Sequence, residues 1–152
     1  MSTHYIGSEK ERVALDTFIK LNRALQGLSD RTFAKAPLPA SLSPVRFGIL
    51  ETLYHLGPLH QNELREKLLK SKGTVSISVE QLERAGLVSR SEGNEDRRFR
   101  KVAITEEGTG LISAYFPQYT AALTKEMESL TIEEQRLLGN LAKKLGKKEE
   151  QK

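Results

Sequence analysis

The sequence predicts a mainly α-helical fold with one small β-hairpin, and three observations predict it. Apolar residues recur at spacings of three and four over most of the 152 residues, and side chains that cap helices precede these stretches. Residues 87–108 instead place two short apolar strands around a polar, arginine-rich tip at 92–100. That hairpin directly follows an amphipathic helix. We therefore expect one domain, alone or with helical extensions.

The first predicted helix begins at Ser8, because Ser8 and Glu11 can form a capping box in which each side chain satisfies a backbone N–H. It ends before Pro37, since proline cannot donate a hydrogen bond and restricts the residue before it. Between these points, apolar residues form a heptad-like stripe of Ala14, Phe18, Leu21, Leu25 and Leu28. This stripe is suited to packing against another long helix.

Two shorter helices follow. Ser43 and Pro44 predict the second start, with serine as the N-cap and proline at the first helical position, and Gly57-Pro58 ends this helix. Its predicted buried residues are Phe47, Ile49, Leu50 and Leu53. A third helix covers about residues 61–69, and a polar break separates it from the next helix.

The fourth predicted helix runs from Lys72 to Arg84, and its two sides differ in character. Val75, Val79 and Leu82 share one face. The other side is mostly small and polar, and consists of Gly73, Ser76, Ile77, Glu80, Gln81 and Arg84. Such a face can approach the edges of bases, and a helix N-terminus favours phosphate. A plain surface helix would be equally amphipathic, but it would not explain the position between a short helix and a basic hairpin.

Two helices are predicted after the hairpin. Thr105 with two glutamates starts a helix that carries a wide apolar face, and Pro117 is expected to kink it or to split it. A second capping box, Thr131 with Glu134, starts the last helix.

Composition excludes several classes of function. The absence of cysteine excludes disulfides and thiolate metal sites, and no run approaches the roughly 20 apolar residues of a membrane span. The formal net charge is +4, with cations gathered in the middle third of the chain. No catalytic or phosphate-loop motif is present, so we expect no enzyme, no cofactor and no metal. His55 and His60 flank Gly57-Pro58 and could approach each other, but two ordinary histidines are favoured over a metal site.

Residues 60–108 resemble the multiple antibiotic resistance regulator (MarR) family of bacterial transcription factors. The resemblance rests on a helix-turn-helix in QNELREKLLKSKGTVSISVEQLERAGLVSR, then on Asp96, Arg97 and Arg98 in a wing, and on Val102-Ala103-Ile104-Thr105 with Gly108. It implies a winged helix-turn-helix flanked by long N- and C-terminal dimerisation helices. The expected divisions are an N-terminal dimerisation helix at 1–36, a DNA-binding domain at 43–105, C-terminal dimerisation helices at 106–148 and a frayed tail at 149–152.

The family implies a homodimer that binds double-stranded DNA at a palindromic operator, as a repressor in the bacterial cytoplasm, associated with the nucleoid when DNA-bound. The apolar terminal helices support the dimer independently, because a monomer would expose a large apolar patch. We predict that the major groove is contacted by Gly73, Thr74, Ser76, Ile77 and Gln81. Ser71 and Lys72 are expected to bind phosphates, Arg98 to enter the minor groove with Asp96 orienting it, and Arg97 and Arg100 to contact the backbone.

Three positions qualify these roles. Ile77 stands where many family members have a basic residue, although it could touch a thymine methyl group. Glu80 would be repelled by phosphates unless it accepts from a cytosine amine. Arg90, at the base of the wing, could instead be a structural ion-pair partner.

The family often binds small aromatic or anionic effectors. Candidate lining residues are Phe33, Phe47, Tyr54, Tyr115 and Tyr119, each of which could equally be a core residue. The alternative to a DNA-binding regulator is a winged helix used for protein–protein contact. The basic wing favours DNA, since a protein-docking surface would favour exposed aromatic residues.

Overall fold

The computed structural model describes residues 4–91 and 100–147, and it confirms a mainly helical fold with a small β-wing. In chain order the elements are α1 (Glu9–Lys35), α2 (Pro44–Leu56), β1 (Leu59–His60), α3 (Gln61–Leu68), α4 (Lys72–Arg84), β2 (Val88–Arg90), β3 (Lys101–Ile104), α5 (Glu106–Met127) and α6 (Ile132–Gly146). None of these helices is both long enough and apolar enough to cross a membrane.

The helices begin where the capping residues predict. The Glu11 side chain accepts from the Ser8 N–H at 2.8 Å, and Ser8 Oγ accepts from the Glu11 N–H at 3.3 Å, which completes the predicted capping box. Thr131 forms the same arrangement at the start of α6. Ser43 and Ser71 cap α2 and α4 by accepting a backbone N–H three residues later. Each cap satisfies backbone donors that the first helical turn leaves without a partner.

The chain divides into two compact units. We call residues 37–118 the central unit, and residues 1–36 with 119–152 the terminal unit; both names refer below to their described residues. The division falls inside α5, between Gln118 and Tyr119.

The central unit contains a three-stranded antiparallel sheet with the order β1-β3-β2. Strand β3 pairs with β2 in a register that places Val88 opposite Ile104. It also pairs with β1, which places Leu59 opposite Val102. The sequence predicted the β2–β3 hairpin but did not predict β1, which is two residues long.

The core of the central unit lies between α2, α3, α4 and the sheet. The predicted apolar faces of α2 and α4 are buried, and Leu64 of α3 lies between them in the same core. Its fully buried apolar side chains are Ile49, Leu50, Leu53, Leu64, Val75, Val79, Leu82, Val102 and Ile112. This core fixes the orientation of α4, so the opposite face of α4 is held outward.

The terminal unit is held by polar contacts as well as apolar ones. The Glu126 carboxylate of α5 accepts from Arg31 Nε at 2.6 Å and from Lys35 Nζ, both on α1. Thr32 is buried, and its hydroxyl donates to the Leu28 carbonyl at 2.7 Å. By contrast, α6 buries none of its residues. The apolar sides of α1 and α6 therefore remain largely uncovered.

Pro117 was expected to kink α5 or to split it, and the split does not occur. The helix is continuous through Pro117 and is not split into two pieces. Proline removes the hydrogen bond to the carbonyl of Ser113, four residues earlier. Both residues lie on the exposed side of the helix, where water can satisfy that carbonyl.

Candidate nucleic-acid interface

A tight turn between α3 and α4 positions the second helix. Leu69 ends α3 in the left-handed conformation, with φ 51° and ψ 41°. The chain then reaches Ser71, whose hydroxyl accepts from the Thr74 N–H at 3.2 Å and shares a 2.8 Å hydrogen bond with the Thr74 hydroxyl. These contacts fix the N-terminus of α4, which is the end predicted to meet phosphate.

The structure brings the predicted α4 residues together on one accessible face. Ser71, Lys72, Gly73, Thr74, Ile77 and Gln81 are exposed, and Ser76 is half-buried. Ile77 has 58% of its surface exposed, although it is apolar. The opposite face carries Val75, Val79 and Leu82, all fully buried, and Ser78 joins them. The exposed face is therefore small and polar apart from Ile77.

The acidic residue on this face has a partner. Glu80 Oε1 accepts from Arg84 Nη2 at 2.9 Å, one helical turn away. The pairing offsets the negative charge that would repel a phosphate backbone. Both side chains are well exposed, so the pair can be broken at low cost.

The base of the wing is joined to α4 by an ion pair. Arg90 Nε lies 3.3 Å from Glu83 Oε2. Arg90 thus forms an ion pair at the base of the wing, as the sequence allowed, and its role towards DNA stays a prediction. Arg100 is half-buried and directly precedes β3. Asp96, Arg97 and Arg98 lie outside the described residues, so their roles stay predictions.

A second junction holds α5 against the end of α4. The Thr105 hydroxyl donates to the Gly86 carbonyl at 2.7 Å and accepts from the Gly108 N–H at 3.0 Å. The Thr105 N–H donates to the Leu87 carbonyl at 3.1 Å. Gly86 itself has φ 74°, a conformation that favours glycine. These contacts connect the end of α4, the start of β2 and the start of α5.

A cavity of about 260 Å³ opens where α3, α4 and the base of the wing meet. It is lined by Gln61, Asn62, Arg65, Lys72, Val75, Ser76, Arg90 and Arg100. Gln61, Asn62 and Arg65 were not among the residues that the sequence predicted for a site. Their position on the short helix α3, which precedes α4 in a basic part of the chain, could have indicated such a role.

The N-cap of α3 is not a hydroxyl residue. His60 occupies the N-cap position, but its side chain makes no capping hydrogen bond. Instead the Glu63 carboxylate accepts from the His60 N–H at 2.7 Å. No group of three or more metal-ligating side chains occurs in residues 4–91 and 100–147.

The candidate effector residues fall into one group in each unit. In the terminal unit, Phe33 and Tyr119 are stacked with ring centroids 5.9 Å apart. In the central unit, Phe47 contacts Tyr115 edge to face at 5.4 Å, and Tyr54 lies 6.3 Å from Phe116.

The aromatic group of the central unit continues to a polar edge. The rings of His55 and Phe116 are 5.3 Å apart, and Tyr54 is 41% exposed. Burial raises the pKa of Glu51 on the same helix, while the charge of His55 opposes that rise. The sequence did not point to Glu51, His55 or Phe116 as members of this group.

Comparison with known proteins identifies similar regulators. A model of the MarR family matches residues 42–99. The HTH-type transcriptional regulator MhqR of Bacillus subtilis is 32% identical over 133 residues, which cover 88% of this chain and 91% of MhqR.

Two solved structures share the fold. One is that of Bordetella bronchiseptica BpsR, whose DNA binding is regulated by 6-hydroxynicotinic acid; its TM-score is 0.78 at 21% identity, covering 87% of this chain and 99% of that one. The other is Sco3205, a MarR family transcriptional regulator from Streptomyces coelicolor, in complex with DNA. Its TM-score is 0.74 at 22% identity, covering 95% and 91% of the two chains.

Proposed function

The chain belongs to the MarR family of DNA-binding transcription regulators, and on that premise we propose that it is a repressor that binds a palindromic operator as a homodimer. The observation that carries this proposal is the exposed face of α4. Small residues lie at the capped N-terminus of this helix, which follows a tight turn and precedes the wing. Such a helix can enter a major groove closely, and its N-terminus attracts phosphate.

The residues on the outward side of α4 and its N-cap have proposed roles. Gly73, Thr74, Ser76, Ile77 and Gln81 contact base edges in the major groove, since they lie on the outward side. Ser71 and Lys72 bind phosphates at the start of the helix. These phosphate contacts set the position of the protein on the duplex, whereas the base contacts select the sequence.

The wing supplies the remaining contacts. We assign Arg98 to the minor groove, with Asp96 orienting its guanidinium group, and Arg97 and Arg100 to the backbone. Arginine is suited to a narrow minor groove, where the negative potential is enhanced. The ion pair between Arg90 and Glu83 supports this arrangement because it ties the base of the wing to α4.

The homodimer is supported by uncovered apolar surface in the terminal unit. Phe18 and Leu25 of α1 are 67% and 66% exposed. On α6, the exposed apolar residues are Ile132, Leu137, Leu138, Leu141 and Leu145. A monomer rarely leaves so many large apolar side chains exposed on two helices. A second copy of the chain would cover it and would present two recognition helices, which matches a palindromic operator.

A small aromatic or anionic effector completes the proposal. The regulator of BpsR, 6-hydroxynicotinic acid, is both aromatic and anionic. Candidate residues here are the stacked pair Phe33–Tyr119 and the group of Phe47, Tyr54 and Tyr115. An effector releases DNA only if it binds the conformation that cannot bind DNA more tightly than the conformation that can. A panel of phenolic and anionic aromatic compounds that leaves DNA affinity unchanged would contradict this part.

The proposed cellular location follows from the proposed DNA partner. A regulator of bacterial genes works in the cytoplasm, on the nucleoid. We propose no enzymatic activity, because the similar proteins are transcription regulators.

Binding to random-sequence duplex DNA at several salt concentrations tests the proposal against a protein-interaction module. For a DNA-binding winged helix, the logarithm of the binding constant must fall linearly with the logarithm of the salt concentration, with a slope of about 0.9 per phosphate contact. Salt-independent or undetectable binding would favour the protein-interaction module instead.

A further inference from the structure

The cavity between α3, α4 and the wing has an unusual charge. Of the eight described residues that line it, four are cations, namely Arg65, Lys72, Arg90 and Arg100, and none of the eight is acidic. Gln61, Asn62 and Ser76 add amide and hydroxyl groups, and Val75 is the apolar member. A site of this composition attracts an anion and can donate several hydrogen bonds to it.

Two of these cations have no ion-pair partner among residues 4–91 and 100–147. Within the described part of the chain, neither Arg65 nor Lys72 forms an ion pair. Both are exposed, so their charges reach the mouth of the cavity. Arg90 does have a partner, because Glu83 lies 3.3 Å from its Nε. A guanidinium group has five N–H donors, so this contact leaves the outer ones available to the cavity.

The elements that form the cavity give it a fixed shape. Val75 is fully buried and anchors α4, and Leu64 anchors α3 in the same core. Arg90 ends β2, where it lies opposite Val102 of β3, and Arg100 directly precedes β3. The cations are thus carried by three elements that share one core, and their convergence is built into the fold.

We propose that this cavity is a phosphate-binding pocket that takes one phosphate group of the DNA backbone beside the recognition helix. The proposal rests on the proposed function, and it assigns Gln61, Asn62, Arg65 and Arg90 to the interface. A volume of about 260 Å³ is several times the roughly 30 Å³ that one water occupies, so a hydrated phosphate group fits. Phosphate is favoured over a carboxylate because the donors reach the cavity from several elements, and the oxygens of a tetrahedral phosphate point in several directions whereas those of a carboxylate lie in one plane.

The position of the pocket favours the backbone as the source of the phosphate. Lys72 and Ser76 belong both to the pocket and to the proposed DNA-binding residues of α4. A helix that lies in the major groove is flanked by the phosphates of the groove's edge. Inorganic phosphate has the same chemistry, so an experiment needs one arm for each source.

Arg65→Gln is the test variant, and Lys67→Gln is its matched control. Both side chains are exposed on α3, and both substitutions remove one positive charge, but Lys67 does not line the cavity. A general electrostatic effect would therefore be equal in the two variants. Circular dichroism establishes that each variant is folded.

The free-phosphate arm follows the arginine Nε–H signals by nuclear magnetic resonance while inorganic phosphate replaces chloride at constant ionic strength. We expect saturable shifts for Arg65, Arg90 and Arg100 in the native chain and in Lys67→Gln. In Arg65→Gln the shifts of Arg90 and Arg100 become weak or absent. Equal, non-saturating shifts of all arginines would overturn the pocket.

The DNA arm measures anisotropy with an operator selected from random duplexes. Arg65→Gln should lose about ten-fold more affinity than Lys67→Gln, since it removes a charge-assisted hydrogen bond. A neutral methylphosphonate at the contacted phosphate should weaken DNA binding by the native chain and by Lys67→Gln. It should cause little further loss of affinity in Arg65→Gln.

The two arms separate the possible outcomes. If the variants lose affinity equally while phosphate still saturates the pocket, the ligand is free phosphate and the backbone assignment is overturned. If the native chain binds no duplex at all, the proposed function fails, and with it the backbone as the source. The free-phosphate arm then decides whether the pocket binds phosphate at all.

Discussion

A Cβ atom placed on Gly108 would lie 2.2 Å from the backbone carbonyl oxygen of Leu87. This is far inside any allowed contact, so only glycine fits at this point of α5. The same carbonyl accepts from the Thr105 N–H, and the Thr105 hydroxyl donates to the neighbouring Gly86 carbonyl. The close approach therefore belongs to the junction that holds α5 against the end of α4 and the start of the wing.

Gly108→Ala should destabilise the chain, because the added methyl group must displace backbone atoms. Overpacking of this kind costs about 1–3 kcal/mol. Gly110→Ala is the matched control in the same helix, since nothing lies within 4 Å of a Cβ there, and it should stabilise by about 0.5–1 kcal/mol. Urea unfolding at one protein concentration measures both. Equal stabilities of the two variants would contradict the importance of the Gly108–Leu87 contact.

The sequence predicts α4 well because its signals are local. The bounds Lys72–Arg84 follow from Ser71 as a cap and from the spacing of Val75, Val79 and Leu82. The same local logic failed for β1. Leu59 and His60 carry no strand pattern, and they are extended only because β3, about 40 residues later, pairs with them.

The candidate site was predicted in part for the same reason. The exposed residues of α4 share a face by periodicity, which a sequence displays. The phosphate pocket instead joins Arg65 to Arg90 and Arg100, and no spacing along the chain indicates that meeting. The continuity of α5 through Pro117 also depends on solvent exposure, which the sequence alone does not give.

Leu141→Glu should abolish the homodimer. Leu141 lies on α6 with 55% of its surface exposed, so a charge there is tolerated by one chain but would be buried in an interface. Asn140→Glu adds the same charge at the neighbouring exposed position and should leave the dimer intact. Sedimentation velocity over a range of concentrations measures both. A Leu141→Glu variant that still sediments as the native chain does would exclude this face from the interface.

Glu126→Gln should lower stability at neutral pH. Hydrogen bonds from Lys35 and then from Arg31 lower the pKa of Glu126 below its ordinary value of 4.5. A lowered pKa in the folded state contributes stability that is fully present above the unfolded value and is lost as pH falls through the folded value. The difference in unfolding free energy between the native chain and the variant should therefore be constant near neutrality and shrink below about pH 4.5.

Glu128→Gln is the control for that measurement. Glu128 also pairs with a lysine, but its side chain is 58% exposed, against 10% for Glu126. An exposed pair contributes little, so the control should change stability less. The unfolding free energy is measured between pH 3 and pH 7 at about one-unit steps. If its pH dependence is the same in Glu126→Gln as in the native chain, the ion pairs of Glu126 do not contribute to folding stability.

Ile77→Ala should make binding insensitive to one thymine methyl group. If Ile77 contacts that methyl, replacing the thymine by uracil in the selected operator costs the native chain about 0.8 kcal/mol, or roughly four-fold in affinity. The alanine side chain of the variant is too short to reach the methyl group, so the same replacement should not change the affinity of the variant. Anisotropy titrations with each thymine replaced in turn locate the position. A native chain indifferent to every replacement would remove Ile77 from base recognition.

Selection of bound sequences from a random duplex library, followed by determination of the stoichiometry of the complex, tests the central claim most directly. A homodimer that presents two copies of α4 should enrich an inverted repeat with half-sites separated by about 34–36 Å, or one helical turn, and should bind it with two chains per duplex. An unenriched library, or an asymmetric site occupied by a single chain, would contradict a dimeric, sequence-specific regulator.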